Sequence, residues 1–268
     1  MRSFSTKDRD GIPQPKIIVS RAGPVITVMI NRPERRNAVD HETALLLRKA
    51  FQDIEADESA SAAVLCGAGG WFCAGYDLKS LTETGITHEP EGEGPMGPTR
   101  MLMSKPVIAA VEGFAVAGGL ELALWCDLRV ASATATFGVY CRRWGVPLID
   151  GGTIRLPRLI GQSRALDMIL TGRPVAAEEA FSSGLANRIV PAGEAREAAE
   201  GLALTLTRFP QVCLKADRLS AHAQWSLPLN EALRAEGRGG ERALNEEGTL
   251  GAGRFAGGLG RSGDFDKI

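Results

Sequence analysis

The sequence lacks an excess of either charge. Its 268 residues include 31 lysine and arginine against 32 aspartate and glutamate side chains, so the net charge is −1. Proteins that bind nucleic acid without sequence preference rely on a basic surplus, and no stripe of basic and aromatic residues offsets its absence here. We therefore expect no nucleic-acid partner. A chain of this length is sufficient for one large α/β domain or two small ones.

The spacings typical of disulfide frameworks and zinc sites are also absent. The cysteines are odd in number, and they show neither a CxxC pair nor a histidine at zinc-like spacing. We therefore expect reduced thiols, a cytoplasmic location and no metal site. The five cysteines are Cys66, Cys73, Cys126, Cys141 and Cys213.

Histidine is rare, and the few present are far apart in the chain. His41, His88 and His222 all lie outside the segments with catalytic features described below. We expect them to be surface or core side chains rather than catalytic groups or metal ligands.

Long hydrophobic runs are missing as well. No segment approaches the roughly 20 apolar residues that a membrane-spanning helix needs, so we expect no membrane partner. The first residues, MRSFSTKDRDGIPQPK, are polar and lack the apolar stretch of a secretory signal. We expect residues 1–14 to form a disordered leader.

The apolar segments that are present alternate between strand and helix patterns. Two β-branched runs flank Ala22-Gly23 and predict a hairpin. Asp40 is placed to cap a helix, and residues 118–125 predict another. Alternation of this kind favours an α/β fold with parallel strands joined by crossover helices. The predicted strands are residues 16–20, 24–30, 62–66, 106–111 and 128–131.

The remaining segments divide into a candidate lid and a helical end. Residues Thr82–Thr99 are rich in Gly, Pro and Glu and have no apolar period, so they predict a mobile segment, either an active-site lid or a plain surface loop. From Ser163 onward the pattern is mostly helical, and the glycine-rich residues 251–268 predict an irregular tail. The predicted helices near the end are residues 194–209, 211–223 and 229–246.

Two segments place glycine where backbone would lie bare beside a ligand. Residues 72–78 (FCAGYDL) follow a strand, and residues 113–121 (GFAVAGGLE) follow a strand and open a helix. Free N–H groups at a helix start have partial positive charge. Two such donors form an oxyanion hole, and removing one typically costs about 3 to 4 kcal/mol in the transition state. Each segment alone is weak evidence, since paired glycines before a helix commonly serve close packing.

Four stretches together resemble the enoyl-CoA hydratase/isomerase, or crotonase, family in order and spacing. The resemblance covers about residues 15–225 and implies an α/β crotonase-like spiral of ββα turns, with a C-terminal helical region that builds trimers, often paired into hexamers. It also implies an acyl-CoA substrate, an enolate held in an oxyanion hole, and no cofactor beyond the coenzyme A of the substrate. The stretches are ITVMINRPERRNAVD (26–40), WFCAGYDLKSL (71–81), KPVIAAVEGFAVAGGLELALWCDLRVASATATFG (105–138) and GGTIRLPRLIG (151–161).

The resemblance also implies roles for individual residues. It places the oxyanion donors at the backbone N–H groups of Tyr76 and Gly118. Its coenzyme A contacts match Arg35, Ala74 and Lys79, although an ordinary surface charge is an equal alternative for the two basic residues. It implies a spiral core over residues 15–193 that binds acyl-CoA and a C-terminal helical region over residues 194–268.

The acid/base residues depart from the family pattern. Glu121, one helical turn after Gly118, matches the first catalytic glutamate, and its carboxylate can reach the same pocket. A second glutamate should lie 20 residues further on, where this sequence has Cys141. A thiol is a poor replacement for a carboxylate that must hold and protonate water, so Cys141 is either a pocket contact or a packed thiol.

A different carboxylate is available at Asp150. Its position resembles that of the aspartate used by dienoyl-CoA isomerases and by the 4-chlorobenzoyl-CoA dehalogenase branch, which would make it a second catalytic group. Alternatively, Asp150 is the N-cap of the helix that starts at Gly151.

Three functions therefore remain open. We favour a hydratase or isomerase-type enzyme that uses Glu121 and Asp150. The alternatives are a dehalogenase or thioesterase-like acyl-CoA enzyme with Asp150 as nucleophile, and a non-catalytic protein that binds CoA thioesters. The sequence does not identify the acyl chain.

Overall fold

A computed structural model of the protein describes residues 14–84, 88–260 and Gly263. Except for Gln14, the predicted leader lies outside the described residues. The strands are β1 (Ile17–Ala22), β2 (Val25–Ile30), β3 (Ala62–Gly67), β4 (Val107–Val111), β5 (Phe114–Val116), β6 (Leu128–Ser132), β7 (Thr136–Gly138), β8 (Val175–Ala176) and β9 (Arg188–Val190). The helices are α1 (His41–Ala56), α2 (Leu78–Thr84), α3 (Gly118–Trp125), α4 (Gly152–Ile160), α5 (Gln162–Thr171), α6 (Ala177–Ser182), α7 (Ala195–Thr207), α8 (Gln211–Ala223), α9 (Leu229–Ala243) and α10 (Thr249–Ala256).

The strands form two sheets. One sheet has the order β1-β2-β3-β4-β6-β9, and the other has the order β5-β7-β8. The predicted hairpin pairs β1 with β2 antiparallel, and β2, β3, β4, β6 and β9 follow one another in parallel. The chain passes from the first sheet into the second twice, after β4 and after β6. The predicted α/β class is confirmed, and the repeated step between sheets produces the spiral.

Helix α1 begins after Asp40, as the predicted cap and the spacing of the apolar residues indicate. The Asp40 side chain accepts a 2.8 Å hydrogen bond from the N–H of Thr43, which satisfies one of the free donors of the first turn. Leu47, Phe51 and Ile54 recur at helical spacing and are fully buried or nearly so. Strands β3 and β4 are buried along almost their whole length, as expected for parallel strands inside a core.

The chain forms two compact units, the first of which extends to Leu204 and the second of which begins at Thr205. The boundary falls within α7, whose residues 205–207 belong to the second unit, whereas the sequence analysis began the C-terminal helical region at residue 194. None of the helices in the described part of the chain is long and apolar enough to cross a membrane.

The second unit contains helices α8, α9 and α10. A five-residue π-helical segment, Leu244–Gly248, joins α9 to α10 without a break. Its Glu247 accepts hydrogen bonds from the backbone N–H groups of Val212 (3.0 Å) and Cys213 (2.8 Å) at the start of α8. The prediction of an irregular tail was wrong for the residues in α10. An existing helix is extended at little cost, whereas a new one must be nucleated, so α10 tolerates its two glycines.

Candidate active site

A cavity of about 350 Å³ lies in the first unit. Its polar lining comes from segments far apart in sequence, which the two sheets bring together. Most of the remaining wall is apolar, as is usual for sites that bind small molecules. The apolar lining residues are Ala74, Leu78, Leu81, Pro95, Met96, Val116, Ala117, Trp144, Val146, Pro147 and Ile149, and the polar ones include Arg36, Tyr76, His88, Glu121, Tyr140, Cys141 and Asp150.

Two backbone N–H groups at the cavity are available to a ligand. Val39 donates a 2.8 Å hydrogen bond to the carbonyl of Gly75 and accepts one of 2.9 Å from Asp77, which leaves the intervening Tyr76 N–H unpaired. Gly118 is the first residue of α3, so its N–H has no partner within the helix. Over residues 14–84 and 88–260, neither N–H donates to a protein acceptor.

Gly75 allows these two segments to approach each other. Its φ is +99°, and a Cβ at this position would lie 2.9 Å from the backbone nitrogen of Gly118. A side chain would therefore be strained by the backbone conformation and would also press against the Gly118 N–H. Glycine at this position therefore lets the segment that contains Tyr76 pack directly against the start of α3 at the cavity.

Glu121 is buried on α3 with one carboxylate oxygen fixed. The side chain is 2% exposed, and its Oε1 accepts hydrogen bonds from the N–H groups of Asp150 (2.9 Å) and Gly152 (2.8 Å). Oε2 accepts none within the described residues and is not among the fully buried unpartnered atoms, so it is accessible at the cavity. Burial, followed by the nearby charge of Asp150, raises the pKa of Glu121 to about 7. A carboxyl group with such a pKa can exchange protons near neutral pH.

Asp150 is also buried and also fixed by one oxygen. It is 3% exposed, and its Oδ1 accepts hydrogen bonds from the Met96 N–H (3.0 Å) and from the Thr99 hydroxyl. Burial raises its pKa above the ordinary value. The N-cap interpretation was wrong, because α4 has Gly151 as its N-cap and no side chain caps it.

These contacts revise the prediction for the candidate lid. Residues 85–87 of that segment lie outside the described residues. Met96 and Thr99 are almost fully buried, and both donate to Asp150. The end of the segment is therefore part of the cavity wall rather than a plain surface loop.

Cys141 lies where the family pattern has its second glutamate, and it lines the cavity. The thiol is 6% exposed. Burial, together with the charge of Glu121, raises the pKa of Cys141. The side chain is therefore a neutral thiol at physiological pH, which is a weak proton donor and no base.

The predicted coenzyme A contacts are only partly brought to the cavity. Ala74 lines it, whereas Arg35 and Lys79 are exposed and do not. Arg36 does line it, with φ +51° and its guanidinium 5.8 Å from the ring centre of Trp71. The roles of Arg35 and Lys79 stay predictions. Arg36 was missed because the sequence does not show which of the two adjacent arginines, Arg35 or Arg36, turns toward the pocket.

His88 is a second residue that the sequence analysis did not assign to the site. It lines the cavity, and its Nδ1 is buried without a hydrogen-bond partner among the described residues. No sequence signal identified it beyond its location in the candidate lid. No group of three or more His, Cys, Asp or Glu side chains in the described ranges is arranged to hold a metal ion.

Comparison with known proteins identifies relatives along most of the chain. The family model described as enoyl-CoA hydratase/isomerase matches residues 20–252. The enoyl-CoA hydratase EchA19 of Mycobacterium tuberculosis is 36% identical over 233 residues, which cover 83% of this chain and 86% of the relative. The carnitinyl-CoA dehydratase of Salmonella typhi is 34% identical over 219 residues, which cover 81% of this chain and 84% of the relative.

Solved structures agree with the sequence relatives. The crystal structure of the enoyl-CoA hydratase EchA1 from Mycobacterium marinum has a TM-score of 0.85 at 33% identity, covering 91% of this chain and 96% of that one. An enoyl-CoA hydratase from Bacillus anthracis has a TM-score of 0.81 at 29% identity, covering 90% and 96%. The dehalogenase-like and non-catalytic alternatives are not favoured by these matches. The chain belongs to the enoyl-CoA hydratase/isomerase family, and the predicted crotonase-like fold is confirmed.

Proposed function

We propose that the protein catalyses proton transfer next to the carbonyl of an acyl-CoA thioester, with Glu121 as the principal acid/base group and the N–H groups of Tyr76 and Gly118 as the oxyanion hole. The observation that supports this most is that one cavity contains a carboxyl with a pKa of about 7 and two unpaired N–H donors. Each component matches one requirement of enolate chemistry.

In the proposed reaction, the thioester oxygen lies between the two donors. When the α-carbon loses a proton to Glu121, electrons move into the carbonyl and the oxygen becomes negative. The two N–H groups stabilise that charge, each by about 3 to 4 kcal/mol relative to its removal. The enolate then regains a proton, either at the same carbon or, when a double bond migrates, further along the acyl chain.

Addition of water is the first candidate for the net reaction. Water would add to the β-carbon of an enoyl-CoA, with its oxygen bonding to carbon and its proton passing to a carboxylate, while the α-carbon takes a proton. This proposal uses Glu121 and Asp150 as the two carboxyl groups. The printed names of the relatives, hydratase and dehydratase, support it.

Double-bond isomerisation is the second candidate. The neutral thiol of Cys141 replaces the second glutamate of the family pattern, and Asp150 has one oxygen held by two donors. Isomerisation needs no bound water, so the loss of a water-holding glutamate affects it less. The classification as a lyase therefore depends on which product is formed.

The oligomeric state, the location and the cofactor requirement of the enzyme complete the proposal. We propose a homotrimer or a dimer of trimers, cytoplasmic, that needs no cofactor beyond the coenzyme A of its substrate. The five cysteines are free, which suits a reducing compartment.

A panel of CoA thioesters tests the proposed function. Purified protein would be incubated with 2-enoyl, 3-enoyl, dienoyl, 3-hydroxyacyl and saturated acyl-CoA in D₂O, and products would be followed by mass spectrometry. We expect deuterium at the α-carbon together with hydration or isomerisation of at least one member, and no such change with Glu121→Gln. Absence of both exchange and turnover across the panel, with CoA thioesters still bound, would contradict the proposal.

A further inference from the structure

We propose that Arg155 is a positioning residue that sets the geometry and the charge of both carboxyl groups in the cavity. This inference rests on the proposed function, because it assigns Arg155 to the acid/base pair formed by Glu121 and Asp150. Arg155 itself is absent from the cavity lining, so its action on a substrate would be indirect.

The guanidinium joins the two segments that hold the carboxyl groups. Its NH1 donates a 2.9 Å hydrogen bond to the carbonyl oxygen of Asp150, and its NH2 donates one of 2.7 Å to the carbonyl oxygen of Thr99. A planar fork with two separate donors fixes both the distance and the angle between these backbone segments. Arg155 therefore connects α4 to the end of the candidate lid.

Both fixed segments hold a carboxylate directly. The Thr99 hydroxyl donates to Asp150 Oδ1, and the Asp150 N–H donates to Glu121 Oε1. Displacement of the Asp150 backbone would move a donor of Glu121, and displacement of Thr99 would move a donor of Asp150. A single guanidinium therefore fixes the backbone that provides one of the two donors to each carboxyl group.

The positive charge of Arg155 is placed so that it acts on both carboxyl groups without forming an ion pair with either. Arg155 makes no ion pair within the described part of the chain but is held by two carbonyl groups. Burial raises the pKa of both Glu121 and Asp150, and the positive charge of Arg155 partly opposes that rise. A direct ion pair would hold a carboxylate ionised far below neutral pH, which would remove its capacity to donate a proton.

Other charged and titratable groups also act on this pair. Asp150 and the backbone donors act on Glu121, and Arg100 acts on Asp150. Cys141 is close enough to respond to the charge of Glu121. Around Arg155 itself, Cys126 and Arg158 are the additional groups. Arg155 acts electrostatically on each carboxyl group and also bonds to the backbone that holds each one.

Four variants test the inference: Arg155→Met, Arg155→Lys, Glu121→Gln and, as a control at an exposed arginine of the next helix, α5, Arg164→Met. The readouts are kcat and KM on a responsive CoA thioester, the pH profile of kcat/KM from pH 5 to 9, and the thermal midpoint. In Arg155→Met we expect kcat to fall about 100-fold, as misplaced catalytic groups typically cause. KM should change less than about twofold, since the lost contacts act on the reaction rather than on substrate binding.

The pH profile separates positioning from mere stability. Without the positive charge, the limb of the profile due to Glu121 should move to higher pH in Arg155→Met. Arg155→Lys retains the charge, so its limb should stay near the wild-type position. Its kcat should still fall, because one ammonium nitrogen cannot reproduce the two donors of the fork. Arg164→Met should match wild type in both kcat and the position of the limb.

The outcomes distinguish failure of the inference from failure of the proposed function. If Glu121→Gln is inactive while Arg155→Met keeps wild-type kcat and the wild-type limb, the inference is overturned and the function stands. If both Arg155 variants lose activity in proportion to a lower thermal midpoint, with no movement of the limb, Arg155 is only structural. If Arg155→Met does not fold, an unchanged kcat in Arg155→Lys overturns the fork argument. Full activity of Glu121→Gln would instead contradict the proposed function.

Discussion

Glu121 Oε1 accepts a 2.9 Å hydrogen bond from the backbone N–H of Asp150, so the side chain of one carboxyl residue is held by the main chain of the other. Both residues are almost fully buried at one cavity. Burial, followed by the charge of Asp150, raises the pKa of Glu121, and burial raises the pKa of Asp150. The pair is therefore suited to hold a proton near neutral pH.

The first prediction concerns removal of either carboxylate. Glu121→Gln and Asp150→Asn should each lower kcat by about 100- to 10,000-fold, the usual contribution of a general acid or base. Both replacements keep an oxygen that can accept the existing N–H bonds, so affinity for CoA thioesters should change little. Steady-state kinetics and calorimetric binding measure the two effects. Surface Glu58→Gln is the control, and wild-type activity of the Glu121→Gln, Asp150→Asn double variant would exclude the assignment.

The second prediction is a pH-dependent stability. The pKa of Glu121 is about 7 in the folded protein against 4.5 for an ordinary glutamate, so the folded state binds its proton more tightly. The resulting stabilisation is fully present below about pH 4.5 and is lost as the pH rises through about 7. The raised pKa of Asp150 acts in the same direction.

Denaturant unfolding at pH 5 and pH 8 measures this effect. Relative to Glu121→Gln, wild type should lose on the order of 1 to 3 kcal/mol of unfolding free energy between these two pH values. The surface variant Glu58→Gln should lose as much unfolding free energy as wild type between the two pH values. A wild-type protein that gains stability over Glu121→Gln as the pH rises would show that Glu121 is ionised and satisfied in the folded state.

The third prediction concerns the oxyanion donors. Gly118→Pro should abolish turnover because proline has no N–H, and a Cβ at this position would lie 2.6 Å from the Met96 sulfur. In the proposed oxyanion hole Tyr76 contributes its backbone N–H, so Tyr76→Ala should retain most activity.

The control for the oxyanion prediction is Gly118→Ala, which keeps the N–H but meets the same sulfur. It separates crowding from loss of the donor. Steady-state kinetics with the same CoA thioester is the measurement. If Gly118→Pro and Gly118→Ala lose activity equally, the lost donor is not the cause.

The fourth prediction is assembly through the second unit. Its helices expose large apolar side chains, and Leu229 and Leu233 lie at i, i+4 on one face of α9 while being 74% and 56% exposed. Exposed apolar surface of this kind marks an interface. Light scattering should show a trimer or hexamer, and Leu233→Glu should weaken it more than the control Arg234→Glu. A stable wild-type monomer at micromolar concentration would contradict the prediction.

The fold was predictable where local signals are strong. The hairpin of β1 and β2 follows from two β-branched runs around Ala22-Gly23, and α1 follows from its Asp40 cap and its apolar period. Strands β5, β7, β8 and β9 were missed because each has only two or three residues. Such short strands show no alternation, and they form only because the rest of the chain places them side by side.

The candidate site was predictable only in part for a similar reason. Glu121 and Gly118 are one helical turn apart, so local geometry places them together. The bonds from Met96 and Thr99 to Asp150 join residues more than 50 positions apart, and no pattern in either segment indicates them. His88 likewise lines the cavity together with Glu121 and Asp150, which are distant from it in sequence.

The final prediction tests why Cys141 stands at the position of a second glutamate. Burial and the charge of Glu121 raise the pKa of the thiol, so it stays neutral and should transfer no proton. Cys141→Ser should therefore change turnover by only a few-fold. In Cys141→Glu, burial and like charge should raise the pKa of the new carboxyl. It could then act as a proton donor, and hydration of a 2-enoyl-CoA should increase. Cys141→Gln is the matched control, because it has the same shape but no titrating proton. The hydration rate of each variant is measured from the loss of enoyl absorbance. Equal rates in Cys141→Glu and Cys141→Gln would show that the side chain at this position does not take part in proton transfer.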